Sequence, residues 1–250
     1  MKKLSIIFTI IALLGFSTAF AQDTTSVIEQ DTAKIETFVS VDLVSSYVWR
    51  GFLLEDRPNI QPIFGLAYKN LELGLFSSKS LSNPFYELDV FLSYTPIKWL
   101  NITVTDFYCD YNDYTDTSYQ SLNYFEYANS ATHHNILVDV ILGNVEKFPF
   151  TITASTIVYG GYDLDSQGDG KYTTYLELDY YYKDFKFFVG ALTGQSDFYL
   201  NTAEGVNIVN VGIKHVKNIK VNKELEIPLT TTFGVNPQME KVYFAISFTF

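Results

Sequence analysis

Ser130, His133 and His134 bring a hydroxyl and two imidazoles within a few residues of one another, the pairing that a nucleophile activated by a general base requires. No Gly-x-Ser-x-Gly elbow accompanies them, so a hydrolase stands as a rival and not as the expectation. Residues 163–170, Asp-Leu-Asp-Ser-Gln-Gly-Asp-Gly, carry acids at the first and third positions and Gly at the sixth position of a calcium loop. The twelfth position is Thr174, where a bidentate Glu is needed, and the stretch reads as a loop tip. Asp106, Asp110, Asp113 and Asp116 read as a solvated acidic loop that attracts divalent ions. Cys109, the single cysteine, has no partner for an intramolecular disulfide and belongs to no metal-ligand cluster, so it reads as a small semi-apolar residue. With no phosphate-binding glycine loop and no dinucleotide fingerprint either, neither an enzyme nor a cofactor is expected.

A more widely spread set of ionisable residues is Asp42, Arg50, Lys69, Glu72, Glu87, Asp89, Asp139, Glu177, Asp179 and Lys183, with Lys214 and Glu226. Each follows a large apolar or aromatic residue, so a strand at each place would put all of these charges on one face. Rings of charged side chains sort solutes by sign in pores, and eight acids against four bases give a mild preference for cations. The competing reading is a salt-bridge network that fills a narrow barrel, with Arg50 facing Glu87, Asp89 and Glu177.

The elements that must position these charges follow from a recurring two-residue alternation. It runs through segments 37–53, 59–69, 71–79, 85–95, 100–110, 134–143, 149–161, 172–183, 185–196, 205–217, 225–236 and 240–250. Opposite the charges lie uninterrupted apolar rows: Val39, Val41, Leu43, Tyr47 and Trp49; Phe64, Leu66 and Tyr68; Leu71, Leu73 and Leu75; Leu176, Leu178, Tyr180 and Tyr182. An Arg or Lys at mid-depth on a lipid-facing barrel surface costs about 2–4 kcal/mol, so charge-free rows are what lipid exposure demands. A soluble sandwich would alternate in the same way. Aromatics near the strand ends (Tyr47, Trp49, Tyr68, Tyr94, Trp99, Tyr182) favour the membrane barrel, because amphipathic rings suit the lipid–water boundary. Twelve strands place both ends on the periplasmic side, with short turns such as Lys69-Asn70 and Lys183-Asp184 there and the long 111–133 connection outside.

Composition agrees with this organisation. The 250 residues include 19 Tyr and 21 Phe, 17 Lys+Arg and 28 Asp+Glu, a net charge of −11 that argues against nucleic acid as a partner. Residues 1–21 read as an export signal, with Lys2 and Lys3, a short apolar run and Ala19-Phe20-Ala21 before the cleavage point. Residues 22–36 are a polar lead-in, and 37–250 form the barrel domain. At the other end Val242, Phe244, Ile246, Phe248 and Phe250 share one face. Phe244, Ile246, Phe248 and the terminal Phe250 resemble the targeting signal of bacterial outer-membrane barrels, read by the barrel-assembly machinery.

Residues 46–52, Ser-Tyr-Val-Trp-Arg-Gly-Phe, followed by 56–61, Asp-Arg-Pro-Asn-Ile-Gln, resemble the opening hairpin of the TorF-type porin family, in which a Ser-x-Tyr-x-x-Arg-Gly strand end precedes a short loop and Pro-x-x-Gln. Glu87-Leu88-Asp89 is similar to that family's Glu-x-Asp strand. The resemblance implies an outer-membrane barrel with a diffusion role. The expectation is an all-β, antiparallel up-and-down transmembrane barrel of about twelve strands, a channel for small hydrophilic solutes or ions, or alternatively a non-conducting structural or adhesive barrel. Outer-membrane lipid and lipopolysaccharide are its expected surroundings. The purified mature chain is expected to stay monodisperse in detergent and to aggregate on its removal, as size-exclusion chromatography would show. A monodisperse detergent-free chain would contradict the lipid-facing assignment.

Overall fold

The computed structural model describes residues 34–111, 123–128, 132–143, 145, 148–222 and 225–250. The export signal and Ser130 lie outside these residues. All regular structure among the described residues is strand: β1 Glu36–Val44, β2 Tyr47–Trp49, β3 Phe52–Glu55, β4 Asn59–Tyr68, β5 Leu71–Ser80, β6 Phe85–Ile97 and β7 Leu100–Tyr111, then β8 His134–Leu142, β9 Phe150–Gly160, β10 Thr174–Tyr182, β11 Phe185–Leu192, β12 Asn207–Lys220, β13 Glu226–Asn236 and β14 Lys241–Thr249.

Twelve of these strands close into one antiparallel barrel, each beside its neighbour in the chain, with β14 returning to β1; β2 and β3 form a separate two-stranded sheet. The all-β, twelve-strand up-and-down expectation is therefore met. The two-residue turns gather at the rim where both ends of the barrel chain lie, and the longest connections gather at the opposite, loop rim. The turns Lys69-Asn70 and Lys183-Asp184 are two-residue hairpins whose first residue holds a φ of 54°, the left-handed value that a primed turn requires at that place. Between β12 and β13 the connection is shorter than the alternation suggests, because β12 continues to Lys220.

The expected apolar rows face outward. Val39, Phe64, Leu66, Leu71, Leu73, Leu75, Leu176, Leu178, Phe233 and Phe244 are all exposed, while their chain neighbours Phe38, Gly65, Gly74, Asp179 and Gly234 are buried inside. Tyr68, Tyr94, Trp99 and Tyr182 are exposed near the turn rim, as their place in the alternation predicts. Of the targeting residues Phe244, Ile246, Phe248 and Phe250, the three phenylalanines are exposed and Ile246 is partly covered.

The first expected strand is where the structure departs. Segment 37–53 is not continuous: β1 stops at Val44, Ser45 and Ser46 bend, and the chain turns into the barrel as the hairpin β2–β3. Tyr47 and Trp49, expected on the lipid-facing row, are instead 4% and 8% exposed within the interior cluster. The alternation could not separate the two fates, since an aromatic row suits a hydrocarbon surface and a packed interior equally.

Inside the wall, five glycines lie beneath aromatic rings. A Cβ on Gly65 would come within 2.3 Å of Phe38 Cζ, on Gly74 within 2.1 Å of Phe91 Cζ and on Gly212 within 2.5 Å of Phe188 Cζ. Gly190 and Gly234 are covered in the same way by Tyr175 and Tyr243. In four of these pairs ring and glycine are directly opposite across a strand pair, so the missing side chain is the space the ring occupies. Gly74→Val should displace Phe91 and destabilise the barrel by about 1–3 kcal/mol, read as a lower urea midpoint in detergent micelles.

Candidate functional site

A twelve-stranded barrel is wider than side chains alone fill; eight strands is the size at which they do. Here the hairpin supplies the missing volume. Arg50 and Gly51 form its two-residue turn with φ of 51° and 88°, the paired left-handed values of a type I′ turn. Gly51 is required a second time by space, because a Cβ there would stand 2.1 Å from the Val209 carbonyl oxygen on β12. Asn236, at the end of β13, donates its side-chain amide to the Gly51 carbonyl at 3.2 Å.

Arg50 spans the lumen to the far wall. Its Nη2 approaches Asp139 Oδ1 and Oδ2 on β8 at 3.1 and 3.2 Å. Its Nη1 donates to Ser155 Oγ on β9 at 2.6 Å and to Tyr199 Oη, from the β11–β12 connection, at 2.7 Å. The guanidinium also lies 4.4 Å from the Trp49 ring centroid and 5.0 Å from that of Tyr175. Trp49 in turn stacks on Tyr199 at 5.2 Å with the planes 5° apart. A planar, permanently charged fork held by a carboxylate and by ring faces is a task that Lys could not take over.

Around this anchor the hairpin is fixed on every side. Tyr47 packs against Phe76 and Phe85, and its hydroxyl donates to Glu87 Oε1 at 3.3 Å. Glu55 accepts from the Arg57 backbone N–H at 2.9 Å and from Asn83 Nδ2, on the β5–β6 connection, at 2.9 Å. A second ionic group lies nearer the turn rim. Lys186 Nζ sits 3.3 Å from Glu177 Oε1 and 2.8 Å from Asp179 Oδ1. Glu177 also accepts from the Tyr175 hydroxyl, and from Asn210 Nδ2 at 3.1 Å. Asn210 accepts in turn from Tyr243 Oη at 2.5 Å. Through Tyr175 the two ionic groups form one network, in which Arg50 is paired with Asp139 and Lys186 with Glu177 and Asp179.

Of the charges expected on the inner face, Asp42, Glu72, Glu87, Asp89, Asp139, Glu177 and Asp179 do project inward from the wall, and Arg50 enters on the hairpin. Lys69 and Lys183 do not. Both sit in exposed turns at the rim, with Nζ 5.4 Å and 5.3 Å from the rings of the preceding Tyr68 and Tyr182. They end their segments in the alternation, but the hairpin turns carry them out of register with the strand faces. Arg50 does not meet Glu87, Asp89 or Glu177; the carboxylate that receives it is Asp139. The expectation missed Lys186, which pairs with two of the predicted acids, and Tyr199, which a loop brings inward. Lys186 was legible, since it alternates with the outward Phe185 and Phe187.

The loop-rim candidates are occupied by their own surroundings. His134 is fully buried on the outer side of the wall beneath residues 123–128, with Nδ1 2.8 Å from Asp106 Oδ1 and Nε2 2.6 Å from the Tyr124 carbonyl oxygen. Tyr127 stacks on the imidazole and donates its hydroxyl to Asp106 Oδ2 at 2.8 Å. His133 Nδ1 is bonded to the Tyr162 hydroxyl. Ser130, Asp113 and Asp116 lie outside the described residues. In the calcium-like stretch, Asp163 is spent on the Thr173 backbone N–H and on the Thr173 and Ser196 hydroxyls. Asp165 accepts from the backbone N–H groups of Asp169 and Gln167, which hold its carboxyl below the usual range. That geometry is a self-closed turn, and among the described residues no group of three or more acid, His or Cys side chains is placed to hold a metal. No protein-family model, curated protein or solved structure matches the chain.

Truncation of Arg50 leaves Asp139 buried without its cation, a loss that typically costs about 3–5 kcal/mol. Arg50→Ala should therefore lower the urea midpoint sharply, and Arg50→Ala combined with Asp139→Ala should cost less than the two single losses added together.

Proposed function

We propose that the chain is an outer-membrane barrel that acts as a channel for passive diffusion of small hydrophilic solutes or ions, closed in the described conformation by the hairpin β2–β3. The observation that carries this reading is the lining between the hairpin and the turn rim. Asp42, Glu72, Thr153, Lys214, Ser247 and Thr249 all face inward there and are only partly buried, so this part of the lumen is lined by polar and charged groups. A barrel serving only as a wall gains nothing from charges held along its interior.

The outward face supports insertion in a bilayer. Its apolar rows are free of Arg and Lys at mid-height, and the turn rim carries Tyr68, Tyr94, Trp99 and Tyr182, with Lys69 and Lys183 leaning over their tyrosines. In this reading the turn rim is periplasmic and the loop rim faces lipopolysaccharide. The likeness of residues 46–61 and 87–89 to the TorF-type porin family supports the same assignment.

A second reading, a non-conducting structural or adhesive barrel, is favoured by the upper lumen. There Tyr175, Leu192, Tyr199 and Val209 are at most 1% exposed and pack as a protein core does. The two readings separate when the hairpin is removed. β1 and β4 already pair up to Val44 opposite Asn59, so residues 45–58 can be replaced by Asn-Gly, a two-residue turn suited to that register. In planar bilayers the intact chain is expected to pass rare, small currents, and the shortened chain to give frequent stepwise conductance with mild cation preference. Silence from a folded, shortened barrel would favour the non-conducting reading.

A further inference from the structure

The closure of the barrel is incomplete in one place. β1 pairs with β14 only from Asp42 opposite Thr249 to Val44 opposite Ser247, whereas β13 accompanies β14 from Phe248 to Lys241. Beyond Ser247 the edge of β14 toward β1 receives three single bonds: from the Ser45 N–H to the Ile246 carbonyl, from the Ile246 N–H to Ser45 Oγ, and from Ser46 Oγ to the Phe244 carbonyl. From Lys241 to Ala245 no strand pairs with this edge among the described residues, although β2 approaches it. Val242 and Phe244, on its outward side, are 65% and 57% exposed.

The segment that fits this edge is the one folded inside. Continued past Val44 in the existing register, β1 would set Ser46 opposite Ala245, Tyr47 opposite Phe244, Val48 opposite Tyr243, Trp49 opposite Val242 and Arg50 opposite Lys241. The alternation that puts Val39 and Leu43 outward would then put Tyr47 and Trp49 outward beside Phe244 and Val242, and Arg50 inward. On the other side, the β1–β4 register continues with Pro58 opposite Ser45 through Leu53 opposite Arg50, leaving Gly51-Phe52 as the turn. A two-residue turn with Gly first is type II′, and one with Gly second is compatible with type I′. Gly51 thus suits both the inner hairpin, turning at Arg50-Gly51, and the extended one, turning at Gly51-Phe52.

We propose that hairpin β2–β3 has two docking places, the lumen where it is seen and the unpaired upper edge of β14, and that its transfer to β14 completes the wall and clears the lumen. The transfer moves the turn by one residue and the pairing by two, so that Trp49 passes from Phe52 to Leu54. Arg50 is the lock of the inner place, through Asp139, Ser155 and Tyr199, and none of these partners bears on the β14 edge. The inference rests on the channel reading for its purpose but not for its geometry.

The chain has two tryptophans, Trp49 and Trp99, so a Trp99→Phe chain reports on Trp49 alone. In brominated phosphatidylcholine vesicles the inner place shields Trp49 between Phe107, Phe198 and Tyr199, and weak quenching is expected. Arg50→Ala in that background should raise quenching by the brominated acyl chains at least twofold, with little change in quenching by aqueous acrylamide. Unchanged bromolipid quenching in a folded Arg50→Ala barrel, or a rise confined to acrylamide, would overturn the proposal. If Arg50→Ala does not fold, Asp139→Asn removes the same lock with its volume kept and is read in the same way. Bromolipid quenching without current in planar bilayers would leave the second docking place standing while ending the channel reading.

Discussion

A ring of twelve strands encloses more room than the side chains of its inner face can fill, and an interior left half packed would hold unpaired charge in the middle of the molecule. The arrangement inside this barrel answers that constraint. Chain is supplied from the wall itself, as a hairpin leaving β1 at Ser45, and its aromatic residues occupy the upper lumen. The same hairpin delivers the one arginine that Asp139 needs. For Asp139, filling and neutralisation are therefore a single event, and the Arg50–Asp139 pair is where they meet.

The wall is built for such filling. Beside five of the inward rings the neighbouring strand offers glycine, so Phe38, Phe91, Tyr175, Phe188 and Tyr243 lie against backbone. The hairpin's aromatic packing thus lies toward the loop rim, and half-buried polar groups line the wall toward the turn rim. Function in the channel reading depends on that packing giving way.

How much of this was legible in the sequence depends on which neighbours a residue meets. The wall was legible because strand geometry alone decides it: alternating side chains must face opposite ways, and Leu71, Leu73 and Leu75 or Leu176 and Leu178 can only have been one face. The inward placement of Glu87, Asp89, Asp139 and Glu177 followed from the same rule. What alternation cannot encode is departure from the strand, and there the expectation failed. Tyr47 and Trp49 satisfy the pattern of β1 as members of a lipid-facing row, yet Ser45-Ser46 and Gly51 let the chain leave the wall. Lys69 and Lys183 failed for a related reason, since a turn residue obeys the turn and not the strand that precedes it. The Arg50–Asp139 contact joins residues 89 apart in the chain, and no local pattern records a partner at that distance.

The reach of the hairpin also constrains the order in which the molecule can be built. Its tip rests on Val209, Asn210 and Asn236, and Arg50 is held by residues as far along the chain as Tyr199. None of these is in place while only the first strands have paired, and contacts that close such long loops form late because the entropy of closure is lost before the contact repays it. The earliest hairpin to emerge is thus among the last parts to settle, and a nascent barrel passes through a stage in which its wall exists and its interior is hollow.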